Sequence, residues 1–156
     1  MIQPQNKVEK IILGIDPGTM YMGYGVISVV GTKMKFIDMG ILDLKKEGDT
    51  YMKLKKVYDF TIALIDKFLP DEFAIEAQFF GKNVQSMLKL GRAQGVAMAA
   101  ALSQEVDVFE YAPSRIKQAV VGLGSASKEQ IAGVVMRTLH IEAKPKKMDA
   151  TDGMAV

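Results

Sequence analysis

Cysteine is absent from this chain and histidine occurs once, at His140, so disulfides, thiolate metal sites and imidazole clusters are all excluded. Any metal would have to be held by carboxylates. No apolar run approaches the ~20 residues that span a bilayer, and the opening MIQPQNKVEK lacks the apolar stretch of a secretion signal. The reading is a cytoplasmic protein with no membrane partner. Low-complexity tracts are missing too, and 49% hydrophobic with 24% charged residues is an ordinary globular balance that leaves no case for disorder. A chain of 156 residues has room for one compact domain rather than two, so residues 1–156 are expected to form a single domain.

Net charge is small, +2, but unevenly placed. Residues 113–147 carry seven Lys or Arg against two Glu, a local +5, which suits an anionic partner without identifying one. Hydrophobic periodicity divides the rest. Ile11–Ile15 is a short apolar run stopped by Pro17-Gly18, and Tyr21–Val30 and Lys35–Leu44 read as two further strands of a meander. Tyr51–Leu69 has helical spacing and is closed by Pro70. A fourth strand, Glu72–Ala77, precedes a long helix, Asn83–Ser103, with Met87, Leu88, Gly91, Gly95, Met98 and Ala99 on or near one face. After a fifth strand, Val106–Tyr111, Pro113 can open a short helix and Ser127 with Gln130 can form a capping box for a helix to about Leu139. Another helix begins at Asp149. Strands in a meander followed by alternating strands and helices imply an α/β fold, a five-stranded mixed sheet flanked by helices.

Two acids stand out because each ends a buried strand: Asp16 in GIDPG and Glu76 in AIEA. A carboxylate there is costly unless it is paired or bound. Neighbouring strands would bring both to one edge of the sheet, and Asp149 and Asp152, three apart, share a helix face. Four converging carboxylates suit Mg²⁺ or Mn²⁺, and a pair of ions about 3.5–4 Å apart can activate water against a phosphodiester. Separate explanations are also open: Asp149 as a helix cap with Asp152 favoured by the dipole, Asp16 bonded to the Pro17-Gly18 turn, and Glu76 paired with Lys82. Those explanations must supply compensation twice, once for each buried-strand acid.

The segments ILGIDPGTMYMGYGVI, AIEAQFFGKNVQSMLKLGRAQGVAMAAAL, FEYAPSRIKQAVVGLGSASKEQI and MDATDGMAV resemble, in order and spacing, the RuvC family of Holliday junction resolvases, over nearly the whole chain from about Lys10. The DPG motif alone is shared with actin-like ATPases and sugar kinases; the central block and the VVGLGSASK loop carry the specificity. The resemblance implies an RNase H-like fold and a homodimeric endonuclease of recombination and repair, nicking two opposed strands of a four-way DNA junction to leave 5′-phosphates. It implies a catalytic, metal-holding set of Asp16, Glu76, Asp149 and Asp152 with two Mg²⁺, Mn²⁺ able to substitute, and a branch-migration motor as a further partner. It also implies a stacking role at the junction for Phe79, DNA contacts for Lys117 and Lys128, weaker phosphate contacts for Arg115, Lys82, Lys89 and Arg92, and a dimer contact along the helix from Asn83.

Departures from the family pattern bear on the site. The family usually continues the last helix for several turns beyond DATDGMAV, whereas Val156 ends this sequence, so the helix is expected to be one or two turns long and Asp149 and Asp152 to sit on a fraying element. Gln78 stands where proline or a small apolar residue is more usual, and eleven methionines are many. A truncated or engineered form fits the short helix and the methionines. Two other functions stay open at this point: a junction-binding protein with impaired cleavage, and a fragment of an actin-like or sugar-kinase ATPase.

Overall fold

A computed structural model describes residues 8–77, 81, 83–142 and 149–156. Three strands lead, β1 (Lys10–Asp16), β2 (Tyr21–Val30) and β3 (Lys33–Asp43), followed by helix α1 (Thr50–Phe68), strand β4 (Glu72–Glu76), helix α2 (Val84–Ser103), strand β5 (Asp107–Tyr111) and helices α3 (Pro113–Val121), α4 (Lys128–Thr138) and α5 (Asp149–Ala155). The sheet runs β3-β2-β1-β4-β5, with the meander antiparallel and β4 and β5 parallel to β1. Parallel neighbours need crossovers, which α1 and α2 provide. The expected elements are all present, with ends differing by one or two residues.

Each helix boundary has a local cause. Asp49 caps α1 by accepting from the Tyr51 N–H at 2.9 Å, and Leu69, in the left-handed region at φ 47°, ends it before Pro70. The Ser127/Gln130 capping box forms as expected, with the Ser127 N–H donating to Gln130 Oε1 at 2.8 Å and the Gln130 N–H donating to Ser127 Oγ at 3.2 Å.

The two faces of the sheet are packed differently. Leu13 and Ile15 of β1, Met22 and Val26 of β2, and Phe73 and Ile75 of β4 are buried with Val57, Leu64, Ile65, Ala97 and Ala101 of α1 and α2. Burying each large side chain contributes roughly 1.5–3 kcal/mol. Strand period dictates that the alternate residues, Gly14 and Asp16, Gly23 and Gly25, Ala74 and Glu76, face the other way. There the second core lies, Ile131 and Val135 of α4 with Met154 of α5, and partly buried Ile27, Phe36 and Met39.

On that face α5 rests directly on the strands. A Cβ at Gly23 would fall 1.7 Å from the Asp149 carbonyl oxygen, one at Gly14 2.3 Å from the Gly153 oxygen, and one at Gly25 2.2 Å from Met154 Sδ. From the helix side, a Cβ at Gly153 would fall 2.6 Å from the Tyr24 Cα. The glycines are therefore a seat for the helix. Ala150, Thr151, Gly153 and Met154 are buried there, so α5 is short but tertiary contact holds it, which replaces the expectation of fraying.

Candidate active site

The parallel register pairs Ile15 with Ile75, so the residues that follow them, Asp16 and Glu76, leave adjacent strands at one level and on the α5 face. Their carboxyls share a hydrogen bond. Helix α5 supplies the others: Asp149 and Asp152 lie in its first turn, and one carboxylate oxygen from each, together with one from Asp16, lie within 4.8 Å of one another. The four acids expected from burial and spacing come together. Glu76 joins the cluster through Asp16.

Gln94 of α2, read from the sequence only as part of a helix, supports the β4 end of the site. Its buried amide donates to the Glu76 backbone carbonyl at 3.3 Å and to Glu110 Oε1 at 2.7 Å, and the Ala77 N–H donates to the Tyr111 carbonyl at 2.8 Å. The buried polar position in GRAQG was the available signal. The seat of glycines under α5 was equally visible, as GIDPG and GYG, but its purpose was not.

A cleft of about 460 Å³ opens above the acids, walled by the Pro17–Thr19 turn, Leu90, Pro113, Ile116, Lys117, Lys128 and Ile131. Lys128 Nζ lies 2.8 Å from Asp152 Oδ2; the lysine side chain is 62% exposed and the aspartate 11%. Lys117 lines the cleft with no acid within ion-pair distance among the described residues. Arg115 and Arg92 are exposed outside it, and Lys89 lines a smaller groove with Lys53 beside Gly18 and Thr19. Phe79 and Lys82, together with Gln78, lie outside the described residues.

Burial pushes the Asp16 carboxyl up to about 9, helped by the hydrogen bond and charge of Glu76 and by Asp152, with Lys128 acting in the opposite direction. At neutral pH and without a bound cation Asp16 therefore keeps its proton. Its ordinary value is 3.8, so between about pH 4 and pH 9 the folded chain holds a proton that the unfolded chain has released, and stability falls as pH rises. In EDTA the wild type is expected to lose about 2–4 kcal/mol relative to Asp16→Asn between pH 5 and pH 8. Parallel thermal melts of the two proteins across that range would check it; curves that stay parallel would show that Asp16 does not titrate there.

The donor set fits a hard divalent cation. It is all oxygen, it holds more acids than Lys128 can balance, and burial beside other acids keeps one member protonated.

The sequence pattern of the family described as Crossover junction endodeoxyribonuclease RuvC matches residues 12–156. The chain is 60% identical to the crossover junction endodeoxyribonuclease RuvC of Bacteroides fragilis, over 99% of this chain and 82% of that protein. It is 59% identical to that of Porphyromonas gingivalis, over 94% and 79%. Among solved structures, Thermus thermophilus RuvC in complex with Holliday junction substrate superimposes with a TM-score of 0.87 at 28% identity, over 94% of this chain and 90% of the other. The architecture is thus RNase H-like.

Proposed function

The chain belongs to the crossover junction endodeoxyribonuclease RuvC family, and from that premise we propose that it cuts four-way DNA junctions with the acid cluster as its active site. The observation that carries the reading is the convergence of Asp16, Glu76, Asp149 and Asp152 from two strand ends and a helix at the floor of a lysine-walled cleft. Asp16, Glu76, Asp149 and Asp152 would together hold divalent metal, Mg²⁺ by this reading. Bound there, such ions supply Lewis-acid stabilisation of the phosphodiester and lower the pKa of an attacking water.

The chain's own residues do the rest. Asp16 gives up its proton on loading. Before loading, the hydrogen bond with Glu76 holds the protonated Asp16 carboxyl at the strand end, and Gln94 fixes the backbone beneath Glu76. Lys117 and Lys128, which line the cleft, would stabilise the charge that a phosphate gains there in the transition state. Arg115, Lys89 and Lys82 would track the phosphodiester backbone, and Phe79 would stack on a base at the crossover. The products would be nicks with 5′-phosphates. A synthetic four-way junction incubated with Mg²⁺ should be nicked in two opposed strands, while a linear duplex of the same sequence is left intact; equal cutting of both would count against the reading.

Paired nicks require two sites, and the exposed face of α2 supports a homodimer. Val84, Leu88 and Leu102 are exposed there, and Gly91, Gly95 and Ala99 complete the stripe, while Met98 turns toward the core. A two-fold contact would place each Leu88 in the same interface, so Leu88→Glu buries two like charges. It is expected to weaken the dimer at least about 100-fold, roughly 2.7 kcal/mol, and to turn coordinated cutting into single nicks. Sedimentation at micromolar concentration checks the first part, and nick mapping the second. The single-domain organisation, a cytoplasmic location and a branch-migration motor as partner belong to the same proposal; among the described residues no helix is long and apolar enough to cross a membrane.

A further inference from the structure

We propose that Lys128 is the resident counterion of Asp152, that divalent metal must displace it, and that the displaced ammonium then takes a phosphate of the incoming DNA. The inference rests on the metal reading above. Its starting point is the 2.8 Å contact between Lys128 Nζ and Asp152 Oδ2. Asp152 is also one of the three acids whose oxygens lie within 4.8 Å of one another. The same carboxylate therefore serves both the ammonium and the prospective metal.

Lys128 is the first residue of α4, where the helix dipole disfavours a cation. The Ser127/Gln130 capping box anchors its backbone. Its ammonium is favoured by the hydrogen bond and charge of Asp152 and by the neighbouring acids Asp16 and Asp149. One monovalent charge leaves that set under-neutralised, so divalent metal has an electrostatic advantage. A divalent ion held by Asp152 would share one carboxylate with the ammonium, and two cations on one carboxylate repel strongly in a partly buried site. The exposed, flexible lysine stem leaves more easily than the aspartate, which sits on a seated helix. The stem stays rooted at the cleft wall beside Lys117, so the freed charge remains within reach of a phosphate that enters the cleft. Metal loading and phosphate contact are thereby coupled through a single side chain.

Mn²⁺ titrated calorimetrically into the DNA-free protein tests the displacement. Lys128→Met is expected to bind Mn²⁺ at least about tenfold more tightly than wild type, whereas Lys117→Met, which removes a charge from the same cleft without releasing an acid, changes affinity less than about threefold. Lys128→Arg should stay near wild type. Equal gains in the two Met variants would overturn the proposal while leaving the metal site standing. Wild type showing no Mn²⁺ binding that Asp16→Asn abolishes would instead overturn the metal reading. Release is read separately, from the salt dependence of junction binding. The slopes of wild type and Lys128→Met should differ by about one with Ca²⁺ and coincide in EDTA, because each phosphate contact adds about 0.9 to the slope. The same difference in both conditions would overturn the release step.

Discussion

Asp16→Asn is expected to lower junction nicking at least about 10³-fold, about 4 kcal/mol of transition-state stabilisation, with junction binding in EDTA unchanged. The two halves of that expectation share one cause. Without metal the buried carboxyl already keeps its proton at neutral pH, so asparagine reproduces its charge and can still hydrogen-bond to Glu76. What asparagine cannot do is lose that proton and offer a carboxylate to a divalent cation. Gel-based nicking of a labelled junction and anisotropy binding in EDTA measure the two quantities on one preparation. Nicking at the wild-type rate would remove Asp16 from the reaction; lost binding would make it a structural residue.

Gly23→Ala is expected to reduce nicking at least about 10²-fold through a residue that touches neither metal nor DNA. The added methyl would stand 1.7 Å from the Asp149 carbonyl oxygen, where ordinary contact begins at 3.4 Å, so the first turn of α5 must lift. Misplacement of catalytic groups by about 1 Å is enough for a loss of that size. Stability should fall by about 1–3 kcal/mol, as for other overpacked positions. Gly133→Ala is the control. It sits on the exposed side of α4 with nothing within 4 Å of its Cβ, and should add about 0.5–1 kcal/mol without altering nicking. Nicking kinetics and thermal melts on both variants decide the matter; a fully active Gly23→Ala protein would show that α5 need not sit against β2.

The strands, the long helices and the capping box at Ser127 were legible because each rests on local rules: period, breakers and caps. The acids were legible for a related reason. A charge ending an apolar run is conspicuous in one dimension, and strand alternation sends Asp16 and Glu76 to one face wherever their strands pair in register. Asp149 and Asp152 were harder, since acids opening a helix have an ordinary explanation in the dipole. The roles of Gln94 and of Gly14, Gly23, Gly25 and Gly153 were not legible, because they depend on which element lies across which.

By itself, then, the sequence determined the layered α/β fold, the oxygen-only character of any metal site and the four carboxylates that could form it, because composition and period are properties of the chain alone. Tertiary structure decided that the short last helix is held rather than frayed, that its two acids meet Asp16, and that Lys128 stands on Asp152. Those facts depend on a glycine seat made by two strands and a helix more than a hundred residues apart in sequence. No local rule can specify such a contact, since it exists only once the sheet has formed.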